Sequence, residues 1–194
     1  MIEHMDRCIG RILKALDKKG LTGNTAVIFS SDNGGTGSAR NAPMSGIKGS
    51  TFEGGIRVPA MARWPGVIPE GLVSDQVCIT MDFSASIVRI AGATVPPGRE
   101  FDGIDILKLV ETGQSPRRRT LFWRARRGDR TWRTVRDGDM KYIRRTDEGQ
   151  SEEDLFDLAN DVGETRNLLK DRPKEVKRLN ALLADWEKQV QHNR

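Results

Sequence analysis

Apolar residues recur at helical spacing near both ends of the chain. Ile2, Met5, Ile9, Ile12 and Leu16 fall 3, 4, 3 and 4 apart, with Arg11, Lys14 and Lys18 off that stripe, which predicts an amphipathic helix over residues 1–19. Gly20 followed by Leu21 supplies a left-handed stop with its hydrophobic contact. Val176, Leu179, Leu183, Trp186 and Val190 repeat the 3, 4, 3, 4 spacing, with Pro173 in the first turn, and predict a second helix packed on the elements before it. Thr25 to Ser30 is instead a short continuous apolar run, the signature of a strand buried on both faces of a parallel sheet, so helix, turn and strand make an α/β unit. Residues 32–55 are glycine-rich and keep no period, which predicts a long loop of the kind that is functional or disordered. Residues 56–64 read as an edge or bulged strand tolerating Pro59, residues 73–80 as another strand, and residues 82–91 as a helix with Phe83, Ile87 and Ile90 inward, closed by Gly92. Residues 121–127, 131–136 and 140–145 are three short strands separated by Gly128-Asp129 and Asp137-Gly138, turn pairs that predict an antiparallel meander.

Composition narrows the class. The 194 residues, 37% hydrophobic and 30% charged, suit one substantial globular domain with a small appendage, divided here into residues 1–114 and 115–194. No stretch approaches the roughly 20 apolar residues of a membrane span, and Glu3, Asp6 and Asp17 stand where an export signal needs an apolar core. Cys8 and Cys78 lack metal or redox spacing. The formal charge of +5 hides an asymmetry: residues 115–145 hold 12 Lys/Arg against 3 Asp/Glu, and residues 146–194 hold 8 against 12. Either the two segments neutralise each other within the fold, or the basic one faces an anionic partner.

Candidate chemistry sits in two segments. Ser30-Ser31-Asp32-Asn33-Gly34-Gly35 ends the apolar strand with a carboxylate and a carboxamide at the carboxyl edge of the sheet, where open α/β folds place ligands. Both are hard oxygen donors, suited to Ca²⁺ or Mg²⁺; the structural alternative is an Asx-type turn. Lys48 lies between Gly46 and Gly49, where backbone can approach an anion closely and the ammonium can act as a point charge, although a loop lysine is more commonly just solvated. The run Gly34-Gly35-Thr36-Gly37-Ser38 lacks the spacing of a nucleotide P-loop.

Taken together, these segments resemble the C-terminal half of a sulfatase, a member of the alkaline-phosphatase-like superfamily. The resemblance runs from Asp17 through Asn24 to Gly34, then through Lys48-Gly-Ser-Thr-Phe-Glu-Gly-Gly-Ile-Arg-Val-Pro59 and Ala62-Arg-Trp-Pro-Gly66. It continues through Met81-Asp82 to Gly92, Phe101-Asp102-Gly103, and Leu155-Phe-Asp-Leu158 with Glu164 and Asn167-Leu168. It implies an α/β fold, the C-terminal part of an alkaline-phosphatase-like sandwich, with a small antiparallel sheet plus a C-terminal helix. It further implies that Asp32 and Asn33 ligate a divalent metal, Ca²⁺ before Mg²⁺, and that Lys48 binds the sulfate and stabilises the leaving group. Glu53, Gly54, Gly55 and Arg57 are expected to shape the loop without catalysis. The implied activity is sulfuric ester hydrolysis on a small-molecule or carbohydrate sulfate ester.

The departures shape a further expectation. The family's nucleophile is a formylglycine made in a C-x-P-S-R or similar motif, and neither Cys8 nor Cys78 stands in one, while Ser115-Pro116-Arg117-Arg118 has its proline one position early. Formylglycine and the remaining metal ligands are therefore expected in a missing N-terminal part, and this chain is expected to be inactive alone, needing that part or self-association. His4 and His192 are read as structural or solvated. Alternatives left open are a phosphodiesterase or phosphonate hydrolase of the same superfamily, a catalytically silent truncated fragment, and a polyanion-binding module built on Arg117 to Arg145, with no nucleic-acid partner under the leading reading.

Overall fold

A computed structural model describes residues 1–114 and 116–192, with side chains through residue 190, so Ser115 and the His192 side chain lie outside the described residues. The chain folds into two compact units that interleave along the sequence, one from residues 1–29 and 60–117, the other from residues 30–59 and 118–194.

The first unit contains helix α1 (Ile2–Lys18), strands β1 (Val27–Ser30) and β2 (Ala60–Arg63), and helices α3 (Thr80–Ile90) and α4 (Ile106–Glu111). The helix stop reads as expected. Gly20 adopts φ 66°, Leu21 N donates to Leu16 O at 3.0 Å and Gly20 N donates to Asp17 O at 3.0 Å, the paired bonds of a Schellman terminus. The apolar stripe of α1 is uncovered among the described residues, with Ile2, Met5 and Ile12 all exposed. Among the described residues β1 pairs only with β2, and Val27, Ile28 and Phe29 are half-buried, unlike the doubly covered strand the apolar run predicts. β2 is also shorter than expected: it starts after Pro59, because residues 53–56 close a helical turn instead, and Pro59 O accepts from Ser31 N at 3.4 Å.

Residues 73–79 form no strand; their polar groups are met by side-chain bonds, Gln76 Oε1 accepting from Arg117 N at 2.7 Å. Helix α3 buries Phe83 and Ile90 against α4 as predicted, but Ile87 stays exposed and Ser86 takes the inward place. A small residue is needed there, because Leu107 N on α4 donates to Ser86 Oγ at 3.2 Å. Asp82, fully buried, accepts from Ile79 N and Ile104 N at 2.8 Å each, which caps α3 and pins the approach to α4.

In the second unit, strands β3 (Thr120–Arg127), β4 (Arg130–Asp137), β5 (Met140–Asp147) and β6 (Gln150–Asp157) form an antiparallel sheet in sequence order. The meander is therefore four strands rather than three. β6 escapes a hydrophobic reading because its first half is polar; Glu152 and Glu153 stand opposite Arg145 and Arg144, so ion pairs rather than apolar alternation define it. Helix α5 (Pro173–His192) covers one face, where Leu179 and Leu183 meet Val135, Tyr142 and Leu155, and Trp186 stacks on Phe122 at 5.1 Å. Successive side chains point to opposite faces, so Trp132, Thr134, Lys141, Ile143 and Phe156 point away from α5 and are covered by residues of the 30–59 segment, including Phe52. No described helix is long and apolar enough to cross a membrane.

Much of the basic charge of β4 and β5 is neutralised internally. Arg133 pairs with Glu187 on α5, Arg144 with Glu153, Arg145 with Glu152 and Asp154, and Arg130 with Asp147. Over β4 and β5 the basic and acidic segments pair with one another, as the mutual-neutralisation reading expects. Asp137 is the densest of these nodes. Arg118 holds it bidentately, Thr120 Oγ1 donates at 3.1 Å and Arg178 of α5 at 2.6 Å. The Arg118 hydrogen bond, with those from Arg178 and Thr120, outweighs burial and pulls the carboxyl down to about 2.

A depressed carboxyl pKa stabilises the fold at pH above the unfolded value of about 4 and ceases to do so as pH falls towards about 2. Asp137→Asn is expected to cost about 1–2 kcal/mol near neutral pH, less than the full shift because Arg118 is largely exposed. Denaturant titrations followed by circular dichroism should show the gap between the two proteins closing at about pH 2; a gap constant with pH would contradict the charge-based account.

Candidate functional site

Asp32, Asn33 and Lys48 all lie in the second unit. Asp32 and Asn33 follow β1 in a tight turn in which Ser31 Oγ donates to Asn33 O at 2.9 Å. Asp32 is exposed and Asn33 half-buried, so the turn offers one free carboxylate beside one carboxamide oxygen. Two backbone bonds bring the lysine loop alongside: Gly34 N donates to Gly55 O, and Lys48 N to Gly35 O, both at 2.9 Å. Asn41 bridges the same two segments, its Nδ2 donating to Gly35 O and Gly46 O at 3.1 Å each. The glycines are needed for this approach, since a Cβ on Gly34 would overlap the Gly54 carbonyl and one on Gly54 would overlap the carbonyls of Ser45 and Gly46.

The lysine loop is in turn anchored to the sheet. It passes through a helical turn, α2 (Glu53–Ile56), whose Glu53 is buried. Lys141 on β5, with no exposed surface, donates to Glu53 Oε1 at 2.8 Å and lies 2.8 Å from Glu164 Oε1, a short ion pair without hydrogen-bond alignment. Glu164 Oε2 accepts from Glu53 N at 2.6 Å, and Arg57 and Arg136 approach Glu53 Oε2 at 3.6 and 3.9 Å. Burial pushes the Glu164 carboxyl up, and Lys141 opposes that shift. Glu164 holds a left-handed backbone, φ 55°, in the turn that carries its side chain into this cluster. Beside it Thr51 and Thr134 share a buried hydroxyl contact of 2.6 Å, and Phe52 packs on Phe156.

Glu53 therefore does more than shape a loop, and Lys141 carries no sequence signal of its own except that it shares a strand face with Ile143. Asn167 and Leu168, the terminal signature, extend the exposed edge of β6: Asn167 Oδ1 accepts from Leu155 N at 3.2 Å, and Leu168 N donates to Leu155 O at 2.8 Å.

The side chain of Lys48 is exposed and lines a cavity of about 510 Å³ with Phe52, Trp132 and the tips of the β3–β4 and β5–β6 hairpins; Asp32 and Asn33 are not part of its lining. No cluster of three or more His, Cys, Asp or Glu side chains arranged for a metal occurs among the described residues. The hard oxygens of Asp32 and Asn33 nevertheless fit a Ca²⁺- or Mg²⁺-type ion by chemistry. His4 is on the exposed face of α1, with Cys8 Sγ 3.7 Å from its Nε2, away from both segments in sequence and unit.

A family model for sulfatases matches residues 1–93, and a model for the N-sulphoglucosamine sulphohydrolase C-terminal region matches residues 48–192. A sulfatase of Formosa agariphila is 34% identical over 195 residues, covering 90% of this chain and 35% of that protein. Bovine arylsulfatase A is 34% identical over 192 residues, covering 85% of this chain and 37% of that protein. Among solved structures, Ps i-CgsB in complex with k-i-k-neocarrahexaose superposes with a TM-score of 0.86 at 28% identity, over 96% of this chain and 41% of that one. The chain thus spans little more than a third of the length of these curated relatives.

Because Lys141 bridges two buried carboxylates, Lys141→Met should leave Glu164 without a cation and Glu53 with only the longer contacts to Arg57 and Arg136. A loss of about 3–5 kcal/mol in chemical denaturation is expected. Adding Glu164→Gln should restore part of it, whereas a double variant no more stable than Lys141→Met would show that the cluster is not electrostatically coupled.

Proposed function

The chain belongs to the sulfatase family, and from that premise we propose that it supplies part of the active site of an arylsulfatase-like sulfuric ester hydrolase, which releases sulfate from an organic sulfate ester. The observation that carries this reading is the pair of 2.9 Å backbone bonds that clamp the Lys48 loop onto the turn bearing Asp32 and Asn33. One carboxylate, one carboxamide and one ammonium group are thereby presented from adjoining loops that a common anchor holds in place.

In this mechanism the Lys48 ammonium binds the non-bridging oxygens of the ester and offsets charge that builds on the departing oxygen. Because Lys48 is exposed and contributes no packing, its role is electrostatic rather than structural. Asp32 and Asn33 would hold a Ca²⁺ ion, with Mg²⁺ the less suited choice for so irregular a donor set. A cation there supplies Lewis-acid neutralisation of the sulfuryl oxygens. The formylglycine nucleophile implied by the family resemblance would come from residues other than these 194. The Gly34, Gly54 and Gly55 contacts keep the turn bearing the donors and the lysine loop at hydrogen-bond distance. A carbohydrate sulfate ester is the substrate favoured here, supported by the neocarrahexaose complex of the structurally similar Ps i-CgsB.

Calorimetric Ca²⁺ titration should show binding by the unaltered chain that is lost in Asp32→Ala and retained in Lys48→Ala. Hydrolysis of a chromogenic aryl sulfate by the enzyme containing this chain should fall about 10²- to 10³-fold in Lys48→Ala, with its thermal unfolding unchanged. An unaltered Ca²⁺ isotherm in Asp32→Ala, or full turnover in Lys48→Ala, would refute the respective assignment.

A further inference from the structure

The turn that follows β6 reaches back to the glycine-rich segment at two places. Glu164 Oε2 accepts from Glu53 N at 2.6 Å, and Gly163 packs so closely that a Cβ on it would sit 2.8 Å from the Pro43 carbonyl oxygen. The turn is itself tied together: Asp161 Oδ2 accepts from Thr165 N and Arg166 N at 2.8 Å each, and Asp161 O accepts from Glu164 N at 3.1 Å. From the sheet side, Lys141 Nζ lies 2.8 Å from both Glu53 Oε1 and Glu164 Oε1. Glu53 is thus held through its amide and its carboxylate at once, by groups with almost no exposed surface.

What Glu53 carries is the closure of the lysine loop. It opens α2, and the two residues after it make the bonds that set the neighbouring backbone. Gly54 N donates to Ser45 O at 2.7 Å, closing a loop over residues 45–54 that contains Lys48, and Gly55 O accepts from Gly34 N at 2.9 Å, next to the turn bearing Asp32 and Asn33. The approach is tight, since a Cβ on Gly54 would overlap the carbonyls of Ser45 and Gly46. The Lys48 side chain is exposed, so the place of its ammonium group follows from the backbone that carries it.

We propose that Glu164 and Lys141 are positioning residues of the hydrolase: through Glu53 they fix the backbone of residues 45–55, and with it the place of the Lys48 ammonium. The inference rests on the assignment of Lys48 to the sulfate ester. A misplacement of about 1 Å at a catalytic group is enough to cost about 10²-fold in rate, so an anchor remote from the chemistry can govern turnover. Reach is the property that matters. Glu164→Asp keeps the charge and tolerates the left-handed backbone at φ 55°, but is one methylene too short to meet Glu53 N and Lys141 together.

Amide hydrogen exchange on the 194-residue chain, read by NMR, is the first measurement. In Glu164→Asp the amides of Gly34, Lys48 and Gly54 should exchange about tenfold faster, while amides of the β4–β5 ladder keep their rates. Glu53→Asp shortens the same link from the loop's side and should give the same pattern. In the enzyme containing this chain, Glu164→Asp should lower kcat on a chromogenic aryl sulfate about 10- to 100-fold, with KM changed less than about threefold. In the Lys48→Ala background the same substitution should cost less than about twofold, because its effect passes through the lysine. Unchanged exchange in both variants overturns the proposal, as does faster exchange spread equally over the ladder, which would make the cluster a support of the whole unit. An equal cost of Glu164→Asp with and without the lysine also overturns it. Full turnover in Lys48→Ala is a different failure, since it refutes the ester reading on which the proposal rests.

Discussion

A buried ammonium group between two carboxylates is the constraint on which the second unit depends. Lys141 projects from the start of β5 into the buried interior, and Glu53 from the glycine-rich segment and Glu164 from the turn after β6 converge on it. Burying such charges is costly unless each finds partners, and here Arg57, Arg136 and the Glu53 amide complete the set. The consequence is positional. A loop whose glycines would otherwise leave it with many conformations is held to a rigid sheet at Glu53, five residues from Lys48. A hydrophobic contact in the same place would hold the loop without fixing its register; a charge triad with directional partners allows few alternatives.

The sheet serves this arrangement through the alternation of its strands. One face carries Val135, Tyr142 and Leu155 towards α5, and the other carries Thr134, Lys141 and Ile143 towards the 30–59 segment. The small antiparallel sheet is thus the platform on which the candidate site is mounted, and α5 is its counterweight on the opposite face. That explains why the two compact units interleave along the chain instead of dividing at one point near residue 114. Residues 30–59 follow a strand of the first unit but contribute their buried side chains to the second.

Electrostatics divides the arginines into two kinds. In the segment with 12 basic residues against 3 acidic ones, many pair with Asp and Glu of β6, α5 and the hairpin turns. Among the described residues Lys48 and Arg127 pair with no carboxylate, and both line the same cavity.

Local patterns were sufficient for the terminal helices, the Gly20 stop, the β3–β5 strands and the Asp32, Asn33 and Lys48 candidates, because each is written in spacing, turn chemistry or a contiguous motif. Residues 73–79 and Ile87 misled, since apolar content there is not matched by burial; side-chain hydrogen bonds from Gln76 and Ser86 decide both places. β6 was hidden because its ladder is specified by arginines on the neighbouring strand. Lys141 was invisible for the same reason: a lysine in a basic strand reads as solvated until a carboxylate 88 positions away and another beyond the sheet are brought to it. The sequence by itself determined the two terminal helices, three strands of the meander and the oxygen donors and lysine that the glycine-rich segment carries. Only the tertiary structure decided which charges are spent on one another and which remain for a ligand, because pairing depends on distances between residues that lie far apart along the chain.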